Sequence, residues 1–136
     1  MNYKVIYGKN DLVYTGFLAL PGKLYQKNEL TQDYDTEYKL LHEKHTLSKY
    51  FNITPFVVID KNSQMPVARC MLTYYPEDDV AYFGFFECIG QQEIAEQLLD
   101  TVSKKAKKDG KTKLSGPVEI RRWKSGSAGM PRPISY

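Results

Sequence analysis

Glu87 is the one carboxylate inside the apolar run "VAYFGFFECI", residues 80–89. On the wall of a cleft shielded from water, such a carboxylate becomes a stronger base and can take a proton as a general base. The plainer expectation is a strand-end carboxylate that faces water or pairs with a lysine. Its neighbour Cys88 could accept an acyl group only as a thiolate, and with no histidine near it in sequence, core packing is expected. Cys70 also lies in an apolar run, and the two cysteines lack the spacing of a metal site or a disulfide framework. His42 and His45 form "HEKH", three apart, where the zinc-protease helix needs four, and no third ligand accompanies them, so no metal is expected. Arg69 stands within an apolar segment, either reaching into a cleft toward an acidic substrate or, the favoured reading, covering a solvent face.

The segment "IGQQE", 89–93, joins an aromatic strand to a helix. Phosphate-binding junctions of this kind carry several glycines, so that backbone N–H groups close around the anion at the helix N-terminus. This one offers Gly90 alone. The lysine cluster "KKAKKDGKTK", Lys104–Lys113, could meet phosphate. Basic residues in the last turns of a helix also offset its dipole, and a solvated helix end is favoured. Tyr82, Phe83, Phe85 and Phe86 read as core on both sheet faces. An RNA-stacking platform would alternate them with Arg or Lys, so no nucleic acid is expected.

With 136 residues the chain is one domain able to bury one core, and 42% hydrophobic content excludes a disordered segment. The net charge of +3 is too small to mark the whole chain as a polyanion binder. No apolar run approaches a membrane span and no signal peptide is visible, so a cytoplasmic protein without membrane partners is expected.

These candidate groups need elements to position them. "YKVIY" reads as a strand. "LVYTGFLAL" reads as a short helix capped by Asp11 and ending near Pro21, and a polar loop follows. "TEYKLLHEKHTLSKYF" suits a second helix, with Tyr38, Leu41, His45 and Ser48 on one face. "PFVVID", "PVARCMLTYY" and "VAYFGFFECI" read as three antiparallel strands joined by hairpins at 60–64 and 76–79. The stripe Ile94, Ala95, Leu98, Leu99, Val102 and Ala106 predicts a long amphipathic helix closed by Gly110. "TKLSGPV" is a further strand, parallel to its neighbour after the crossover. Residues 119–136 lose all periodicity and read as an irregular tail.

This order of elements resembles the GNAT superfamily of N-acyltransferases up to its fifth strand. The segments "FLALPGKLYQ", "HTLSKYF", "GFFEC" and "KLSGPV" resemble a bacterial GNAT-like family with F-x-x-x-P-x-x-L-Y, G-F-F-E and G-P-V segments; the likeness covers about residues 3–118. It implies an α/β (α+β) GNAT-like fold, a mostly antiparallel sheet packed on helices, in a single domain over 1–118. It also implies transfer of an acyl group from acyl-CoA, or another acyl thioester, to a small amine.

By that resemblance the cofactor would lie between the fourth and fifth strands. Backbone around Phe86, Glu87 and Cys88 would bind the pantetheine arm, and Gly90, Gln91 and Gln92 would face the pyrophosphate. On the cleft-facing reading of its place in the apolar strand, Glu87 would be the general base toward the amine. Two departures stand out. GNAT members write the phosphate turn as Q/R-x-x-G-x-G/A, whereas here Glu93 and Glu96 bring negative charge to it, so weak or absent acyl-CoA binding is expected. A full GNAT domain also continues past strand five with a helix and two strands, so the domain is expected to be incomplete at its C-terminal side. An exposed fifth strand would favour a homodimer. The alternative to an enzyme is a non-catalytic binding module using the same cleft.

Overall fold

The structure, a computed structural model, describes residues 2–24, 32–116 and 134–135. Runs of β-branched and aromatic residues form three long antiparallel strands: β2 (Asn52–Asp60), β3 (Pro66–Tyr74) and β4 (Val80–Cys88), with β1 (Tyr3–Tyr7) on the outer side of β2. The hairpins close as their turn residues dictate. Asp60 Oδ1 accepts from the N–H groups of Asn62 and Ser63, and Asp78 Oδ1 accepts from that of Val80. After α3 (Gln92–Lys108) the chain returns as β5 (Lys113–Ser115), parallel to β4, and β6 (Ile134–Ser135) pairs antiparallel with β5. The predicted tail otherwise lies outside the described residues.

Both faces of the sheet are covered, which is why β2 to β4 read as nearly continuous apolar runs. On one face Phe56, Val58, Cys70, Phe83, Phe86 and Cys88 meet Ile94, Leu98, Val102 and Ala106 of α3. Each fully buried large side chain of this stripe contributes about 1.5–3 kcal/mol. On the other face Ile53, Val57, Ile59 and Met71 meet α1 (Asp11–Leu24) and α2 (Tyr34–Leu41). α3 ends as its sequence indicates. Gly110 takes φ +88°, its N–H donates to the Lys107 carbonyl, and that of Lys111 donates to Ala106, a Schellman closure.

Three expectations are corrected. The cap of α1 is Asn10, whose Oδ1 accepts from the Val13 N–H at 3.1 Å, and Asp11 is the first helical residue. The helix then continues through Pro21 to Leu24. α2 is capped by Asp33 and stops at Leu41, well short of Phe51. Lys44 N–H donates to the Lys39 carbonyl and Glu43 N–H to Leu40, with Glu43 at φ +58°. That is a Schellman closure with glutamate in the glycine position, so nothing in the local sequence announced it. A single 3-10 turn, Ser48–Tyr50, precedes β2.

Candidate active site

The register between β3 and β4 breaks in the middle of β4. Arg69 faces Glu87 and Met71 faces Gly84, so Phe85 and Phe86 share the place opposite Cys70. Phe85 takes φ +51° to make this bulge, a left-handed conformation costing an L-residue about 1–2 kcal/mol. Phe86 and Cys88 therefore turn toward α3, while Phe85 packs with the α1 and α2 cluster. β5 pairs with β4 only from Val80 to Tyr82. Gly116 then passes Phe83 so closely that a Cβ would lie 2.5 Å from the Phe83 carbonyl oxygen. Gly84–Cys88 pairs with β3 through Met71 opposite Gly84, Arg69 opposite Glu87 and Ala68 opposite Cys88.

That half-strand leads into the helix start. Phe86 and Cys88 are buried, so only their backbone is available to a ligand, whereas Gly90, Gln91 and Gln92 are exposed. Gln91 adopts extended φ/ψ and gives no side-chain cap to α3; its Oε1 accepts from the Tyr3 hydroxyl at 3.2 Å. Gln92 Nε2 donates to Glu96 Oε2 at 3.1 Å, and Glu93 lies in the first turn. Phe86, Cys88, Gly90, Gln91 and Gln92 thus form one continuous strand, turn and helix start. Burial pushes the Cys88 thiol up to about 12, and a hydrogen bond from the Gln91 backbone opposes this only in part. It is a packing residue at neutral pH.

Glu87 and Arg69 are not at the surface. The solvent-face reading of Arg69 and the water- or lysine-facing reading of Glu87 are both corrected: the side chains are fully buried on the α1 and α2 side. Arg69 Nε donates to Glu87 Oε2 at 2.9 Å, and Nη1 and Nη2 donate to Glu37 Oε1 and Oε2 at 2.6 and 3.2 Å. Arg69 Nη1 also donates to the Phe17 carbonyl at 2.8 Å. Pro21 explains that acceptor. Lacking an N–H, it cannot complete the helical bond to Phe17 four residues earlier, and the orphaned carbonyl turns to the guanidinium. Gln32 Nε2 binds Glu37 Oε1 at 2.8 Å and the Leu18 carbonyl at 3.0 Å. The Arg69 guanidinium also stacks 4.4 Å from the Phe17 ring centre. Glu37 was missed from sequence because on a polar helix it looks like any solvated acid.

The remaining candidates have local structural partners. His42 packs against Tyr38 and Tyr14, and His45 Nδ1 accepts from the Leu47 N–H. No cluster of three or more His, Cys, Asp or Glu side chains suited to a metal occurs among the described residues. In the lysine cluster, Lys104 pairs with Asp100, Lys105 with Asp109, and Lys111 donates to the Asp78 carbonyl. No described helix is long and apolar enough to cross a membrane.

No protein-family model matches the chain, and no curated protein matches it. Solved structures do. A candidate N-acetyltransferase from Lactobacillus plantarum superposes with a TM-score of 0.61 at 18% identity, covering 87% of this chain and 77% of that one. A GNAT-family acetyltransferase from Staphylococcus aureus Mu50 gives 0.60 at 18% identity, covering 82% and 71%. The PaiA N-acetyltransferase from Thermoplasma acidophilum, solved with coenzyme A, gives 0.51 at 12% identity, covering 82% and 77%. With its antiparallel meander, its crossover helix and its parallel fifth strand, this chain has a GNAT-like fold.

Proposed function

We propose that this chain is an acyl-CoA N-acyltransferase-like protein whose cofactor cleft is retained in outline and weakened in detail. The observation that carries this is the bulge of β4 at Phe85, which runs through Cys88 directly into the exposed start of α3. Backbone N–H and carbonyl groups of Phe86, Glu87 and Cys88 suit the amide-bearing pantetheine arm, and Gly90, Gln91 and Gln92 the pyrophosphate. Bound there, an acyl-CoA would supply an activated acyl group. This chain's own contribution is a backbone donor beside the carbonyl, where charge develops as an amine attacks. The residues fit the phosphates poorly, because Glu93 and Glu96 place two carboxylates at the helix end that should attract an anion.

Glu87 could act as general base toward the amine only by exchanging Arg69 for it. Its engagement in the buried ion pair favours a second reading, a binding module that holds an acyl thioester or a similar extended ligand without turnover. The fifth strand, expected to be exposed, is paired by β6, whereas β1 is an edge strand of the described sheet, and a homodimer pairing that edge belongs to the same proposal. Light scattering that returns a monomer at micromolar concentration excludes that association.

Titration with acetyl-CoA followed by amide chemical shifts tests the cleft. Shifts at residues 86–92 with a dissociation constant weaker than about 1 mM, only about 4 kcal/mol of binding, are expected. Saturation at tens of micromolar would show an intact cofactor site, and shifts elsewhere would displace the cleft. Production of an acylated amine that Glu87→Gln abolishes while keeping a wild-type amide spectrum would restore Glu87 as the base.

A further inference from the structure

A cavity of about 150 Å³ opens on the α1 and α2 side of the sheet, directly against the bulge of β4. Its wall is Leu40 of α2, Phe51, Ile53 of β2, Met71 of β3, and Gly84 and Phe85 of β4, with tyrosines 75 and 82 among its other lining residues. Gly84 is the informative member. Phe83 before it belongs to the α3-side core, so by strand alternation residue 84 belongs to the opposite face, where its register partner Met71 packs. Gly84 itself lines the cavity. Glycine in a strand interior weakens the strand, and a close approach by a ligand is one reason for it.

Resting on the acyl-thioester assignment above, we infer that this cavity receives the hydrocarbon chain of the acyl group, and that the preferred donor carries a chain longer than acetyl. The same stretch of β4 backbone that would flank the thioester carbonyl forms the cavity wall at Gly84 and Phe85, so a chain attached to that carbonyl meets the cavity at once. At about 150 Å³ the cavity has room for several chain carbons. An acetyl group would leave most of that space unfilled. The apolar character of Leu40, Ile53, Met71 and Phe85 gives the chain a dry wall, each buried methylene adding to affinity.

The test is a titration of the full chain with acetyl-CoA, hexanoyl-CoA and the truncated thioester S-hexanoyl-N-acetylcysteamine, which lacks the pyrophosphate. Hexanoyl-CoA is expected to bind at least about tenfold more tightly than acetyl-CoA, with methyl shifts at Leu40, Ile53 and Met71. Gly84→Val, and separately Leu40→Trp at a half-buried position of α2, should collapse that ratio to within about twofold. Equal affinity of the two CoA thioesters, or a preference that survives both substitutions, overturns the inference while leaving the cofactor cleft in place. Binding of the truncated hexanoyl thioester in the cavity with no response to either CoA thioester would sink the CoA assignment and leave the acyl pocket standing. Silence toward all three overturns both.

Discussion

Arg69 Nε lies 2.9 Å from Glu87 Oε2 across the adjacent strands β3 and β4, immediately below the bulge, and both side chains are closed off from water. The same guanidinium holds Glu37 of α2 and the Phe17 carbonyl of α1. One side chain therefore ties both helices to the strand that forms the candidate cleft. Arg69→Met would leave Glu37 and Glu87 buried without their counter-charge, and a loss of about 3–5 kcal/mol in unfolding free energy is expected. Combining it with Glu37→Leu and Glu87→Leu should recover most of that loss. Urea unfolding checks both, and a single variant within about 1 kcal/mol of wild type would show that the network does not hold the fold.

Pro21 should be coupled to Arg69. A helix-interior proline ordinarily costs about 3 kcal/mol relative to alanine, part of it from the lost hydrogen bond. Here the orphaned Phe17 carbonyl has a charged donor. Pro21→Ala restores an N–H that competes with Arg69, so it is expected to change stability by less than about 1 kcal/mol alone and to stabilise an Arg69→Met background by more. A double-mutant cycle with a coupling of about 1 kcal/mol or larger is the expected outcome; strict additivity would break the link.

The two carboxylates at the start of α3 act in opposite senses on folding and binding. Glu93→Gln with Glu96→Gln should tighten acetyl-CoA about 3- to 30-fold at low salt, from about 0.3–1 kcal/mol for each charge removed. The gain should shrink as salt rises. The same change should lower helix stability by a similar amount, since an acid in the first turn favours the dipole. Isothermal titration at two ionic strengths beside thermal unfolding separates the effects, and unchanged affinity would remove Glu93 and Glu96 from the account of weak binding.

Cys88 gives a pH dependence. Burial holds its thiol at about 12, above the ordinary thiol value. Because the unfolded thiol ionises first, its contribution to stability is intact below the unfolded value and is lost as pH rises from there toward the folded value. This thiol adds at most about 1.4 kcal/mol per pH unit to the slope, and Cys88→Ala should remove that share between pH 9 and 11 while leaving that of Cys70, whose thiol burial also raises. Native protein at pH 8 should also resist iodoacetamide at Cys88 until unfolded. Rapid alkylation of the folded chain would contradict the burial.

Gly116→Ala should pry β5 from β4. The added carbon would sit 2.5 Å from the Phe83 carbonyl oxygen, where nothing soft can yield. Overpacking of this kind costs about 1–3 kcal/mol. Amide shifts confined to β5 and residues 80–83 are the expected signature, and a wild-type spectrum would show that the close approach relaxes freely.

The β2 to β4 meander and α3 were legible because their signals are local: β-branched runs between turn residues, and a stripe at helical spacing ended by Gly110. The C-terminal end of α2 was not, since Glu43 makes a left-handed cap that glycine usually marks. Nor was the end of α1, because a proline normally ends a helix unless something else satisfies the carbonyl it orphans. The ion-pair cluster was invisible for a related reason. Arg69 meets partners 18 and 32 positions away in sequence, so its own neighbourhood shows only a charge in a strand. The segments expected to bind pantetheine and pyrophosphate were found contiguous in space because they are contiguous in sequence, and the cavity beside Gly84 was not, because four separate elements build its wall.

The parallel pairing of β5 with β4 also orders the assembly of the chain in time. The β2–β3 and β3–β4 hairpins close short loops, whereas β5 can be placed only after α3 has formed and packed back on the sheet, a longer loop with a larger entropic toll. A late-docking strand is also an early-leaving one. The amide protons of Leu114 and Ser115 should exchange with solvent by a partial opening well below the global unfolding free energy, while those of Val57, Cys70 and Leu72 exchange only when the whole domain opens. The rim of the candidate cleft would then be the part of the molecule most readily released and refastened.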